Sequence, residues 1–418
     1  MKLVDKQYCT GCMACLSVCK IKAISAVSDK KGFLYPVIDD NICVDCGLCA
    51  LSCPAINTPS YNVKDQQYYA SWNLKQDIRK NSSSGGLFYE FASFVLKNNG
   101  VVFGAKFDSD FIVRHSYVDK IEDLCQLQGS KYVQSRIENT YIQAADFLKS
   151  GRKVLFSGVP CQIAGLKSFL KKDYENLLTI DLVCHGTPSP KLFDSYKDFV
   201  KTKYRLGDFN SFNFRSKDNS WHLFNIKIVD KNRKKYYGGF YEDAWIRGFL
   251  RNIFLRESCY TCKYATINRL SDISLADYWG YSPLTDDIKH KGVSLLIVNN
   301  EKGKNVLSQL SNNLYLETKD LASALSTNMN LQRPCEKPDS SETFWSDYFT
   351  LPFENVISKW MYPEQVSHSE LINSTFPRRK VFILHFKKYY YSIKIFIIKI
   401  IKAIFPSFVI DAAKRFFK

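Results

Sequence analysis

Apolar residues at positions 87, 88, 91, 94 and 95 share one helical face, and Asn98-Asn99-Gly100 supplies a stop. Val101-Val102-Phe103-Gly104-Ala105 then reads as a strand. The alternation goes on, with a helix over 138–149, the strand Lys153-Val154-Leu155-Phe156-Ser157, a helix over 160–171, a strand over 177–183 and a helix over 190–203. Tyr68 to Trp72 forms a short strand before this series, and Tyr241 to Asn252 an amphipathic stretch after it. Strand and helix in turn, with at least one βαβ unit, predict an α/β body. Pro54, Pro59 and Ser60-Tyr61-Asn62 mark residues 54–67 as a linker.

Ahead of the linker the pattern of cysteines takes over. Cys9-x2-Cys12-x2-Cys15-x3-Cys19 is followed by Cys43-x2-Cys46-x2-Cys49-x3-Cys53-Pro54. Three cysteines at intervals of three wrap one iron–sulfur cubane, and the fourth reaches the other cubane. The spacing therefore assigns Cys9, Cys12, Cys15 and Cys53 to one [4Fe–4S] cluster and Cys43, Cys46, Cys49 and Cys19 to a second. Structural zinc sites use separated cysteine pairs, which these two runs are not. Residues 1–58 are read as an α+β ferredoxin module, an electron wire that needs an acceptor in the remaining chain. Lys20 stands where such runs commonly have proline, a change that removes no ligand.

Charge changes this picture little. The formal net charge of +17 would suggest nucleic acid or a membrane. Three clusters would add about −6 and a flavin dinucleotide about −2, leaving roughly +9. No apolar segment with a cleavage site precedes Cys9, so a cytoplasmic protein is expected, with its cysteines as ligands and not in a disulfide framework.

Two further features carry chemistry. Ser82-Ser83-Ser84-Gly85-Gly86 opens the first helix of the body. Such a turn can cradle phosphate on free amides at a helix start, although an N-cap followed by a flexible turn is the simpler reading. Cys161, in Gly158-Val159-Pro160-Cys161-Gln162, and Cys184, in Cys184-His185-Gly186, sit at strand ends, where open α/β sheets place ligands. With Cys259-x2-Cys262 they make four thiols, best read as ligands of a third [4Fe–4S] cluster. Zinc binding, thiol exchange and a lone Cys161 nucleophile are the alternatives. Cys125 and Cys335 belong to no motif and are expected to be ordinary thiols.

The ordered set of segments resembles the beta-subunit family of coenzyme F420 hydrogenases and dehydrogenases, which includes plant and cyanobacterial reductases of chlorophyll-type pigments. The resemblance spans about residues 68–300. It runs through Ser83-Ser84-Gly85-Gly86, Gly129-Ser130-Lys131-Tyr132-Val133-Gln134-Ser135, Gly158 to Leu166, Cys184-His185-Gly186, Cys259-x2-Cys262 and Asp272 to Gly280. It implies a flavoprotein with FAD, fed by clusters, that exchanges electrons with a small-molecule substrate and with a redox partner protein or soluble donor. Carried over by residue, Ser83, Ser84, Gly85 and Gly86 would contact flavin phosphates, and Lys131, Tyr132, Gln134 and Ser135 would line the flavin site. Cys161, Cys184, Cys259 and Cys262 would hold the cluster nearest the flavin. His185 is a candidate proton donor, with hydrogen bonding to a cluster or to backbone as its plainer role. The implied function is an iron–sulfur flavoprotein oxidoreductase. The alternative is an electron-transfer subunit that relays charge to a separate catalytic partner. The body divides into an N-terminal part over 66–150 and a C-terminal part over 151–350 that carries the third-cluster cysteines.

Residues 360–418 form a basic tail. From 378 onward it holds eleven Lys and Arg against a single acid, Asp411. Lys387, Lys388, Lys394, Lys399 and Lys402 fall on one helical face and leave a broad apolar face. No apolar run reaches the length of a membrane span. The tail is read as an amphipathic helix on the anionic inner membrane face, with docking on the protein itself or on a partner as the alternative and no nucleic acid expected.

Overall fold

The computed structural model describes residues 3–61, 65–326 and 328–362. The predicted basic tail lies, from residue 363 on, outside the described residues. No helix among the described residues is long and apolar enough to cross a membrane.

Thirteen strands organise these residues: β1 (Ile24–Ser28), β2 (Leu34–Ile38), β3 (Gln67–Asn73), β4 (Val101–Phe107), β5 (Val113–Val118), β6 (Val154–Gly158), β7 (Leu177–Leu182), β8 (Phe209–Ser216), β9 (Asn225–Asp230), β10 (Lys235–Gly239), β11 (Ile273–Asp277), β12 (Ser294–Val298) and β13 (Leu314–Lys319). Eight form one mixed sheet in the order β13-β3-β12-β11-β7-β6-β4-β5. Its centre is parallel, β4 to β6 to β7 to β11, and antiparallel strands flank it on both sides. The sheet draws strands from both predicted parts of the body, so residues 66–150 and 151–350 share one scaffold.

Burial on both faces explains why the central strands read as mainly apolar runs. Val102, Leu155, Leu178 and Ile180 pack on one face against Leu87, Phe91 and Val95 of the helix Leu87–Lys97. Val101, Phe103, Val154, Phe156 and Leu177 pack on the other against Tyr141 and Ala144 of Thr140–Lys149 and Ile163, Ala164 and Leu166 of Pro160–Leu170. That second layer also contains Cys12, Met13 and Ala14, so the cysteine-rich module shares the core of the body. Gly165 makes the approach possible. A Cβ there would lie 2.7 Å from the Tyr141 hydroxyl and 2.9 Å from Cys12 Cβ.

The module itself carries the antiparallel hairpin β1–β2 and two short helices, Ala14–Val18 and Leu48–Leu51, each placing a cysteine run. A separate three-stranded sheet, β10-β9-β8, presents Phe212 and Phe214 to Phe107 and Phe193, and Phe193 packs in turn on Trp245, forming an aromatic core beside the main sheet.

Candidate cluster and cofactor sites

Cys9, Cys12, Cys15 and Cys53 line one recess with Thr10, Pro36 and Pro54. Burial pushes the Cys12 thiol up to about 12, and the neighbouring Cys9 and Cys53 add to the rise. Four thiols packed this way resist ionisation until a cation neutralises them. The second run behaves alike but nearer solvent. Burial raises Cys49, with Cys43 and Cys46 repelling it, and Cys46 is exposed. Cys19 packs in the same apolar cluster as Cys49 and Cys15.

In the body, β6 ends at Gly158 and β7 at Leu182, adjacent parallel strands whose C-terminal ends deliver Cys161 and Cys184 to one place. The loop after the helix Ala244–Leu250 brings Cys259 and Cys262 to the same recess, which Thr10 and His185 also line. Burial drives Cys161 and Cys184 far above the ordinary thiol value, with mutual repulsion adding to it, and holds Cys259 at about 12. The Thr187 amide donates to Cys259 Sγ at 3.3 Å, an N–H···S contact of the kind that surrounds cluster ligands. Cys12 acts electrostatically on Cys161, so the inner module site and the body recess are neighbours. Among the described residues no three His, Cys, Asp or Glu stand close enough to hold a single metal ion. A [4Fe–4S] cubane takes four thiolates, and each of these two recesses is lined by such a set of four.

Cys335, expected to be an ordinary thiol outside any motif, lies beside the cysteines of the body recess. It lines the same recess, donates to the His185 carbonyl at 2.7 Å, accepts from Asn330 Nδ2 at 3.4 Å and lies 3.5 Å from His185 Nδ1. Cys125 is exposed and donates to the Glu122 carbonyl. His185 is held edge-on to Phe249 at 4.7 Å, and burial lowers its basicity.

The residues assigned to a flavin make separate sets of contacts. Ser83 and Tyr132 meet at Arg215. The guanidinium donates to the Ser83 carbonyl at 3.3 Å and the Tyr132 hydroxyl at 3.1 Å, and grips both carboxylate oxygens of Asp277 at 2.8 and 3.1 Å. Ser83 Oγ also accepts from the Ser130 amide at 2.9 Å. Ser84, Gly85 and Gly86 are committed to the scaffold. Ser84 Oγ donates to the Val293 carbonyl, and the Gly85 amide to Ser294 Oγ at 2.9 Å. A Cβ at Gly85 would lie 2.5 Å from the Ser71 carbonyl, while Gly86 takes a left-handed φ of +88° to start the helix. Lys131 donates to the Gln126 and Gln128 carbonyls, and burial lowers it to about 7.

Gln134 and Ser135 lie elsewhere. Gln134 Oε1 accepts from the Leu34 amide at 3.2 Å and from Arg256 at 3.4 Å, at the seam between module and body. Ser135 Oγ is 2.7 Å from His115 Nδ1.

Sequence reasoning passed over Arg215, Trp221 and Arg256. Trp221 donates to Asp277 Oδ1 at 2.8 Å and stacks on Trp279 at 5.0 Å. Asp277 and Trp279 lie in the segment Asp272 to Gly280, which did carry a signal. Arg215, on a strand with irregular register, carried none. Arg215 Nε and Arg79 Nη2 are buried without a hydrogen-bond partner, donors suited to an anionic cofactor. The fit to a flavin thus rests on Ser83, Tyr132 and Arg215, and the Gly85 amide is already spent.

Residues 8–56 match the 4Fe–4S dicluster domain, which includes all eight module cysteines. Residues 151–324 match the C-terminal region of the coenzyme F420 hydrogenase/dehydrogenase beta chain, a stretch that includes Cys161, Cys184, Cys259 and Cys262. A coenzyme F420-dependent sulfite reductase of Methanocaldococcus jannaschii is 26% identical over 320 residues, 73% of this chain and 46% of the reductase. The chain therefore spans about half the length of that relative. A chain of the F420-reducing [NiFe] hydrogenase complex of Methanosarcina barkeri aligns with a TM-score of 0.42 and 14% identity, covering 68% of this chain and 93% of that one.

Proposed function

We propose that this chain, a relative of the beta subunits of coenzyme F420 hydrogenases and dehydrogenases, exchanges electrons between a hydride-carrying coenzyme and a one-electron partner. The dicluster module makes it an iron–sulfur electron-transfer oxidoreductase. The finer reading adds a third [4Fe–4S] cluster on Cys161, Cys184, Cys259 and Cys262, and FAD beside it. A flavin supplies the conversion between a hydride and single electrons. The protein's own part is to hold these groups in sequence. Ser83, Tyr132 and the Arg215–Asp277 pair would orient the cofactor, and His185 would lie on the cluster side. The name of the sulfite reductase points to coenzyme F420 as the hydride carrier.

The observation that carries this reading is the adjacency of the two buried cysteine recesses. Thr10 lines both, which joins the wire of the module to the body. The relay reading, with substrate chemistry on a separate partner, is the alternative to substrate turnover by this chain itself. The test is anaerobic mixing of reconstituted protein with reduced coenzyme F420. The coenzyme should be oxidised as cluster absorbance bleaches, and Cys161→Ser should leave the module clusters oxidised. Bleaching that is unaffected by that substitution, or no exchange with any hydride donor, overturns the proposal.

A further inference from the structure

Arg256 is the most deeply buried cation near any cluster site, only 1% exposed. Its Nε donates to the Cys9 carbonyl at 2.7 Å and its Nη2 to the Leu34 carbonyl at 3.0 Å. Nη2 also lies 3.8 Å from Cys9 Sγ. The guanidinium covers the Tyr35 ring at 4.0 Å, and a Cβ on Gly11 would come within 3.0 Å of it. Its backbone belongs to the neighbouring site: the Arg256 amide donates to the Thr187 carbonyl, and its own carbonyl accepts from the Cys259 amide.

A buried charge needs a counter-charge. Among the described residues no carboxylate pairs with Arg256. The two acids nearest its surroundings, Asp29 and Glu257, are taken by Lys6 and Lys337. Among the described residues the guanidinium's hydrogen bond to sulfur goes to Cys9, and its charge also favours the thiolate of Cys259 in the neighbouring recess. Among the described residues no lysine or arginine makes such a contact with Cys19, Cys43, Cys46 or Cys49.

We propose that Arg256 is the counter-ion of the cluster held by Cys9, Cys12, Cys15 and Cys53, and that it raises the reduction potential of that cluster. The physical need is plain. Reduction adds a negative charge to an already anionic cluster, and burial opposes that step. A guanidinium donating to a ligand sulfur offsets the opposition, because hydrogen bonds to sulfur and net charge both set cluster potential. The step served is the exchange of one electron between the two module clusters, one oxidised as the other is reduced, with no bond made or broken. The inference rests on the dicluster module, through the contact with Cys9, and is independent of the flavin.

The test is a redox titration of the full-length, cluster-loaded protein, read by electron paramagnetic resonance, with Arg256→Gln, Arg256→Lys and Gln134→Leu beside the unaltered chain. Arg256→Gln should lower one cluster midpoint so that, at the original midpoint, the reduced-to-oxidised ratio falls about tenfold, or about 59 mV for one electron. Arg256→Lys keeps the charge and should retain most of the potential. Gln134→Leu loosens the seam without changing charge and should leave the potential in place. If Arg256→Gln loses about four iron atoms while Arg256→Lys keeps them, the need for charge is shown by metal content instead. Unchanged midpoints in Arg256→Gln, equal shifts in all three variants, or equal iron loss in both arginine variants would reduce Arg256 to a docking residue.

Discussion

Asp181 and Arg269 form an ion pair with side chains 0% and 1% exposed, Nη2 to Oδ1 at 2.8 Å. Asp181 lies near the end of β7, three residues before Cys184, and Arg269 follows Cys262 by seven, so the pair ties together two arms of the body recess. Arg269 also donates to the carbonyls of Leu182, Tyr264 and Thr266, whereas Asp181 Oδ2 has no partner. Asp181→Leu would strand a buried guanidinium, at a cost of about 3–5 kcal/mol. Arg269→Met should cost at least as much, since it strands the carboxylate and frees three carbonyls. The double variant Asp181→Leu/Arg269→Met should be less damaged than the sum of the singles by about 2 kcal/mol, because neither charge is left alone. Anaerobic urea titration followed by tryptophan fluorescence measures all four proteins. Single-variant losses under about 1 kcal/mol, or strict additivity, would refute the reasoning.

Gly165→Val should force the helix Pro160–Leu170 away from Cys12 and Tyr141, costing about 1–3 kcal/mol and exposing the module to limited proteolysis. His115 is buried and burial lowers it to about 4, below its ordinary 6.5. Its folded form is therefore neutral, and the stability this contributes is full above pH 6.5 and declines by about 1.4 kcal/mol per pH unit toward pH 4. His115→Gln should flatten that slope in urea titrations between pH 7 and 5. Cys335 donates to the His185 carbonyl, so Cys335→Ala should retain the full iron content of the unaltered chain.

Much of this was legible because the relevant physics is local. The module cysteines follow loop geometry, and the central strands β4, β6 and β7 are buried on both faces over most of their length, so they read as mainly apolar runs. β9 alternates as Asn225-Ile226-Lys227-Ile228, a period-two signal left unread, whereas register shifts in β8 break its alternation and hid Arg215. The Ser-Gly turn has a packing reason that the sequence did not show: Gly85 is small where it passes Ser71 and Ser294. Gln134 read as a cofactor contact although it anchors the hairpin, since its partners Leu34 and Arg256 are 100 and 122 residues away. Cys335 had no motif because its neighbour His185 is 150 residues distant.

The most direct test of the electron path is metal analysis of anaerobically prepared protein beside its Cys161→Ser/Cys259→Ser variant. Three cubanes predict about twelve iron and twelve acid-labile sulfide atoms, falling to about eight of each in the variant. About eight in both proteins would remove the body cluster and break the path from the module, and zinc in place of iron would contradict the account from its first step.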